Sequence, residues 1–191
     1  MSAANQSRGL IMTKLRHTIA LLLVFALTGC ATTGGNSQSR GMLHGHVSSE
    51  QIVPIRVYIH QPGKMHWGVF GLTARVRSDG SFFITDIPPG NYYLGGISDG
   101  VTVYALSRLQ GPLVTLGPGE VGYLGTQRIS GSAMALREGS TLDMEAQPRP
   151  EENELLRRLA DHFENTEWQR PVLRKLDRNL SREQDTSSGQ E

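Results

Sequence analysis

Two histidines and one cysteine are the side chains of this sequence whose chemistry is most readily recognised. His44 and His46 are two residues apart, so both imidazole rings would lie on the same face of a β-strand. A zinc site needs three or four converging protein ligands, and this pattern supplies two. We therefore treat His44 and His46 as weak candidates for metal ligands, and we expect the protein to need no metal or other cofactor.

Catalytic motifs give no stronger indication. The sequence contains neither the phosphate-binding G-x-x-x-x-G-K-[ST] pattern nor the H-E-x-x-H pattern of zinc proteases. We interpret residues 97–100, Ile-Ser-Asp-Gly, as a turn and not as the surroundings of a nucleophilic serine. The prediction is a protein that is not an enzyme, with a histidine-based metal-dependent enzyme as an alternative.

The only cysteine, Cys30, follows an apolar run. Lys14 and Arg16 precede this run, residues 19–27 form its apolar part, and small residues separate it from Cys30. This order of charge, short apolar segment and small residues is typical of a secretory signal peptide. The run is too short to span a bilayer, which takes about 20 residues, and a lone cysteine can form no disulfide within the chain.

The end of this segment, Leu27-Thr28-Gly29-Cys30, resembles the lipobox of bacterial lipoproteins. The resemblance implies that the signal peptide, residues 1–29, is cleaved between Gly29 and Cys30 and that the Cys30 sulfur carries a diacylglycerol. Two or three acyl chains anchor a protein stably, because each buried methylene contributes about 0.8 kcal/mol. In that family, Ala31 after the cysteine implies sorting to the outer membrane, so we expect a lipid-anchored protein on its periplasmic face or at the cell surface.

The charge balance argues against a nucleic-acid partner. Three basic residues and no acidic one precede the apolar run, and without them 16 basic side chains remain against 18 acidic ones. A nucleic-acid-binding domain usually carries a clear basic excess. The 22 glycines and 9 prolines favour a fold of short strands and turns over a helical bundle.

After Cys30 the sequence divides into four parts. Residues 30–40 are small and polar, which is typical of a flexible tether. Residues 41–146 show short alternating strands separated by turn residues, which predicts a β-sandwich. We predict strands at residues 42–47, 55–59, 69–76, 82–84, 92–94, 101–106, 113–116, 121–124 and 133–144.

Three patterns within this domain lead to specific expectations. The alternation in residues 55–59 places Ile55, Val57 and Ile59 on one face, which we expect to be core. Asp79-Gly80 predicts a tight turn of a hairpin, and residues 88–91, Pro-Pro-Gly-Asn, predict a second reversal. Residues 117–119, Gly-Pro-Gly, predict a further turn.

The segment from Asp79 to Tyr92 also resembles a known family. Its pattern, Asp-Gly-Ser-Phe with Ile84 followed by Ile-Pro-Pro-Gly-Asn-Tyr at residues 87–92, is similar to the carboxypeptidase regulatory-like domains. The resemblance covers about residues 41–130 and implies a small transthyretin-like β-sandwich that carries no catalytic group. It also keeps carbohydrate binding open, by analogy between folds alone.

Residues 147–180 predict a helical extension of the sandwich. Leu155, Leu159 and Phe163 recur every four residues in 151–164, and residues 168–180 repeat this pattern with Pro171 near the start. We expect both helices to pack on the sandwich or on each other, with docking of a partner near Trp168 as the alternative. We expect residues 181–191 to be disordered.

These patterns predict a non-catalytic lipoprotein that acts as a binding or scaffolding module in the bacterial cell envelope. Its partner would be an envelope protein or a glycan, and a carbohydrate- or peptidoglycan-binding lipoprotein is the alternative. Since Tyr92 and Leu94 share a strand face, we expect one of Tyr92 and Tyr93 to be exposed. The aromatic side chains that we consider for partner contacts are Trp67, Phe70, Tyr93, Tyr104 and Trp168.

Overall fold

The computed structural model describes residues 38–63, 71–106, 111–131, 142–148 and 150–188. The described part is mainly β-structure followed by two helices. The strands are β1 (Gly41–Ser49), β2 (Arg56–His60), β3 (Leu72–Arg75), β4 (Ser81–Ile87), β5 (Gly90–Ser98), β6 (Val103–Ala105), β7 (Val114–Leu116), β8 (Val121–Ser130) and β9 (Asp143–Ala146). The helices are α1 (Glu152–His162) and α2 (Gln169–Ser188).

The strands form two sheets, as the sequence predicted. The first sheet has the order β4-β1-β8-β9, with β1 and β8 parallel and the other pairs antiparallel. The second sheet has the order β3-β2-β5-β6, and β7 pairs with the first residues of β5. Apolar side chains from both sheets, Leu43 and Phe82 from the first and Val57 and Leu94 from the second among them, form one continuous core.

The Asp79-Gly80 turn is confirmed, but its two arms diverge into different sheets. The Gly80 backbone N–H donates to the Arg77 carbonyl, and Gly80 has a φ of 82°, which favours glycine. Beyond this turn β3 and β4 share one bridge, Val76 with Phe82, before β4 joins β1. The turn therefore connects the two layers instead of closing a hairpin within one sheet.

The expectation for residues 55–59 is correct for Val57 and Ile59, which are fully buried in the core. It is wrong for Ile55, which precedes β2 and is 41% exposed. Ile55 continues the ladder through its backbone, since its N–H donates to the Ser98 carbonyl and its carbonyl accepts from Val76. In the described part of the chain, its side chain is only partly covered at this end of the sheet.

The two helices form a further layer on the outer face of the first sheet. Met42 and Val121 from β1 and β8 lie in one cluster with side chains of both helices. The predicted stripe of Leu155, Leu159 and Phe163 is buried, which confirms the amphipathic pattern of α1. The helical members of this cluster are Leu156, Leu159, Ala160, Phe163, Trp168, Val172 and Leu176. Among the described residues, no helix combines the length and apolar character needed to cross a bilayer.

The second helix is longer than expected, so the predicted disorder of residues 181–188 is wrong. Pro171 lies in its first turn, where the missing N–H costs nothing, and neither glycine nor proline follows before Gly189. Asn153 of α1 donates through Nδ2 to Glu183 Oε1 at 2.7 Å and accepts from Asn179 Nδ2 at 3.0 Å. These contacts hold the later turns of α2 against α1.

The packing of the helices on the sheet can be tested with two leucines. We expect Leu156→Ala, at a fully buried position, to lower the free energy of unfolding by about 2–5 kcal/mol, because it leaves a cavity under α1. Leu173→Ala on the partly exposed side of α2 should cost less than about 1 kcal/mol. Urea denaturation followed by circular dichroism measures both, and equal losses would contradict the helix layer.

Candidate functional site

Several residues that the sequence analysis selected lie outside the described residues. These are Gly29 and Cys30 in the lipobox-like segment and the aromatic residues Trp67 and Phe70. Lipidation at Cys30, cleavage at Gly29 and partner contacts at Trp67 and Phe70 therefore stay predictions.

The other selected aromatic side chains are buried. Tyr93 is 7% exposed and packs edge-on against His60, with 5.7 Å between the ring centroids. Tyr92 is buried in the inter-sheet core and donates its hydroxyl to the Pro88 carbonyl at 2.6 Å. The expectation that one of these two tyrosines is exposed is therefore wrong, because both faces of β5 are covered.

Tyr104 and Trp168 are likewise unsuited to contact a partner in this structure. The Tyr104 ring is buried in the core and its hydroxyl donates to Asp99 Oδ2 at 2.7 Å. Trp168 is buried with Val172 and Leu176 beneath the helix layer. Its position agrees with helix packing and not with partner docking, the alternative considered for this tryptophan.

The two histidines of β1 contact different groups. His44, which is 1% exposed, stacks on Tyr123 with 5.1 Å between ring centroids. His46 donates through Nε2 to the Asp79 carbonyl oxygen at 2.8 Å. Within the described ranges, no group of three or more His, Cys, Asp or Glu side chains could hold a metal ion.

His44 belongs to a charged cluster between the first sheet and the helices. Its Nε2 lies 3.8 Å from Glu152 Oε1 at the start of α1, and Lys175 Nζ of α2 lies 3.3 Å from the same oxygen. The His44–Glu152 distance exceeds hydrogen-bond range, so that contact is electrostatic. Three elements, β1, α1 and α2, thus meet at one buried polar position.

Burial determines the protonation of this cluster. Burial lowers the pKa of His44, and the nearby charge of Lys175 acts in the same direction, while Glu152 opposes it. Burial alone would raise the pKa of Glu152, but His44 and Lys175 outweigh it and lower that pKa. The arrangement therefore favours a neutral imidazole beside a Lys175–Glu152 ion pair, which is a structural contact and not a pair prepared for proton transfer.

One motif was overlooked in the sequence. Together with Gly96, residues 97–100 read Gly-Ile-Ser-Asp-Gly, which has the G-x-S-x-G spacing of serine hydrolases. In those enzymes the serine lies between a strand and a helix, whereas Ser98 ends β5 and is followed by β6. Ser98 is buried, and its Oγ accepts from the Gly100 N–H at 3.0 Å. Ser98 therefore stabilises a turn, as first interpreted.

Exposed apolar side chains instead collect at one end of the second sheet. Val101 is 94% exposed and Val53 is 79% exposed, and Ile55 and Val103 are also exposed. Ile55 reaches the 99–102 loop, since its Cδ1 lies 3.3 Å from where a Gly100 side chain would begin. We call these four residues, Val53, Ile55, Val101 and Val103, the distal tip. They lie beyond the Ser49 end of β1, away from Gly41, the first residue of the domain.

The loops of the distal tip are held in place by hydrogen bonds. Asp99 accepts from the backbone N–H groups of Val101 and Thr102 at 2.9 and 2.7 Å and from the Tyr104 hydroxyl. The hydrogen bonds that Asp99 accepts from Thr102, Tyr104 and Val101 lower its pKa. In the loop between β1 and β2, residues 50–55, the side chain of Ile52 is buried in the core. The next side chain, Val53, then points outward. The exposure of Val53 and Val101 is thus a feature of ordered loops.

A cross-strand row with two arginines adjoins the distal tip. Arg56 lies opposite Arg75 on one side and Ser98 on the other, and Ser98 lies opposite Val103. Residues directly opposite share a sheet face, and like charges there are destabilising. In the part of the chain that the structure describes, neither guanidinium has a hydrogen-bond or ion-pair partner. No local sequence pattern indicates this row, because the register between two strands depends on residues that are distant along the chain.

An open cleft of about 310 Å³ lies between the start of α1 and the middle of α2. Its polar side chains largely satisfy one another, as the Asn153, Asn179 and Glu183 hydrogen bonds show. These hydrogen bonds across the cleft contribute to the contact between the two helices.

Comparisons with known proteins leave the family open. No protein-family model matches this chain, and no curated protein or solved structure is significantly similar to it.

The buried histidine predicts acid sensitivity. A group whose folded pKa is lowered contributes stability above its unfolded pKa, about 6.5 for histidine, and this stability is lost as pH falls through the folded pKa. We expect the free energy of unfolding to fall by up to about 1.4 kcal/mol per pH unit in this window. Glu152, also lowered, should add a further loss near and below its own unfolded pKa.

Urea titrations between pH 7.5 and 4 measure this effect. His44→Gln should flatten the upper part of the profile, and His46→Gln, on the same strand, serves as the matched control. If His44→Gln shows the same dependence of the free energy of unfolding on pH as the wild type, His44 is not the source of the acid sensitivity.

Proposed function

We propose that this chain is a lipoprotein, anchored through Cys30 in the bacterial outer membrane, whose folded part is a non-catalytic binding module of the cell envelope. The signal-like segment before Cys30 and the Gly29-Cys30 junction support the anchor. The two-sheet architecture and the turns at Asp79-Gly80 and Pro88-Pro89 are compatible with a transthyretin-like domain of the carboxypeptidase regulatory-like kind.

One observation carries the binding role: Val101 and Val53, the two most exposed large apolar side chains of the described residues, belong to ordered loops of the distal tip. Exposed apolar patches that polar residues rim commonly mark interaction sites. The selected aromatic residues Tyr93, Tyr104 and Trp168 are buried, so carbohydrate binding rests on Trp67 and Phe70. The buried His44 supports packing of the helix layer better than metal-dependent catalysis.

The position of the distal tip suits an anchored module. The tether would join the domain at Gly41, the first residue of β1, and the tip follows the other end of that strand at Ser49. Nine residues of strand separate these ends by about 26 Å, at about 3.3 Å per residue. The tip therefore lies about one strand length from the residue at which the tether would join the domain.

The anchor can be tested by metabolic labelling of the full chain with an alkyne fatty acid in a Gram-negative host. We expect the wild type to incorporate the label and to fractionate with outer membranes, because Cys30 is its only thiol. Cys30→Ser should lose both the label and the membrane fraction, while Ser37→Ala serves as a control in the tether. Label that persists in Cys30→Ser would refute the anchor.

The binding surface can be tested by site-specific photo-crosslinking of the full chain in living cells. A photoreactive amino acid at Val101 should give a discrete adduct with a protein, a glycan or a lipid, because this side chain is fully presented at the tip. Leu113 is also exposed but precedes β7, which pairs with the start of β5 at the opposite end, so it provides the matched control. Equal adducts from both positions, or none from either, would contradict a binding site at the tip.

A further inference from the structure

We infer that the distal tip together with Arg56 and Arg75 docks onto the anionic lipid headgroups of the membrane that holds the anchor. This inference rests on the proposed function, because it assumes that Cys30 keeps the domain beside that membrane. Beyond the proposed function, the inference assigns the domain a second membrane contact and names anionic lipid headgroups as the ligand of the tip.

The charges at this end of the molecule favour an anionic ligand. Glu50 pairs with Arg128 and Asp79 pairs with Arg158, while Asp99 keeps its negative charge, which hydrogen bonds within its own loop stabilise. The two arginines of the neighbouring row outnumber this single carboxylate. In contrast, Arg56 and Arg75 lie side by side without such a partner among the described residues. A guanidinium group binds phosphate through two parallel hydrogen bonds, so two neighbouring groups suit a phosphate-bearing surface.

The shape of the tip favours a lipid surface over a folded partner. Protein interfaces are usually centred on aromatic, methionine and arginine side chains in a complementary patch. Here the apolar groups are short aliphatic side chains, and the two most exposed, Val53 and Val101, belong to two separate loops. Such side chains can enter the apolar boundary of a bilayer one by one without a matching cavity.

The arginines lie where headgroups would meet them. Arg56 and Arg75 face away from the core, since their neighbours Val57, Ala74 and Val76 are buried between the sheets. They lie in the same cross-strand row as Val103, one residue beyond Ile55. With Val53 and Val101 inserted, both guanidinium groups would lie at the depth of the phosphates. The same two charges would repel each other across a dimer of tips, which disfavours a second copy as the ligand.

The tether is long enough to allow this contact. Residues 30–40 span at most about 36 Å when fully extended. This reach exceeds the length of β1, about 26 Å at about 3.3 Å per residue. The domain can therefore turn its tip back toward the leaflet in which the Cys30 lipid is inserted.

The test uses the full lipidated chain, in which a lipid on Cys30 leaves no free thiol. Val101→Cys and Leu113→Cys are each labelled with a nitrobenzoxadiazole dye and reconstituted into vesicles of phosphatidylethanolamine and phosphatidylglycerol. We expect a blue-shifted, brighter emission at position 101, quenched by spin-labelled lipids, and no such change at 113. Vesicles of phosphatidylcholine alone should give a much smaller change.

Arginine variants test the role of charge. Since each basic side chain near an anionic surface contributes a factor of about five, Arg56→Gln with Arg75→Gln should weaken the partitioning of the tip about thirtyfold. These exposed side chains leave the core unchanged and the double variant loses one like-charge contact, so its thermal unfolding should occur at or slightly above the wild-type temperature. Equal emission at positions 101 and 113, or unaltered partitioning of the double variant, would overturn the inference.

The failure of the anchor is distinguishable from the failure of docking. If Cys30 carries no lipid, mass spectrometry shows a second dye on that thiol, and the same vesicles are then added to the unlipidated protein. Emission at position 101 that still responds to anionic vesicles supports the docking surface without the anchor. A photo-crosslinked protein at Val101 in cells, with no vesicle response, would assign the tip to a protein ligand and refute the lipid inference.

Discussion

The rest of the structure depends on the burial of β1 on both faces. Leu43 and Val47 face the inter-sheet core, whereas Met42 and His44 lie beneath the helices. Gly45 between them has no space for a side chain, because a Cβ would lie 2.8 Å from the Phe82 ring and 2.9 Å from the Gly125 carbonyl oxygen. A central strand of this kind must be covered by a layer on each side, so neither the second sheet nor the helix pair is optional for folding.

The same strand explains the order of the chain. β1 pairs in parallel with β8, and parallel neighbours cannot be joined by a tight turn. The whole second sheet lies in the connection between them, so the pairing of β1 with β8 closes a long loop of chain. The helices then cover Met42 and Val121, and the His44–Glu152–Lys175 cluster is the polar part of that contact. Removing one member would leave a buried group uncompensated, which is costly.

Local patterns predicted the elements well, and their assembly less well. The alternation at Val57 and Ile59, the turn at Gly80 and the stripe of α1 depend on neighbours along the chain, and all three were found. The burial of Tyr93, the exposure of Ile55 and the split of β3 and β4 between two sheets depend on which layer covers which strand. The opposition of Arg56 and Arg75 depends on register, and the extra turns of α2 depend on contacts with Asn153.

The distal tip is best understood from what folding does not require. Apolar side chains lower the free energy of the folded state when they are buried, and Val53 and Val101 contribute almost nothing of this kind. The adjacent Arg56 and Arg75 even repel each other. Nevertheless, Asp99 fixes one loop with three hydrogen bonds and buried Ile52 fixes the other, so these side chains are held outward. Folding alone therefore gives no stabilising role to this ordered surface, and its combination of apolar exposure with charge that is unpaired among the described residues is the basis on which we propose a ligand for the tip.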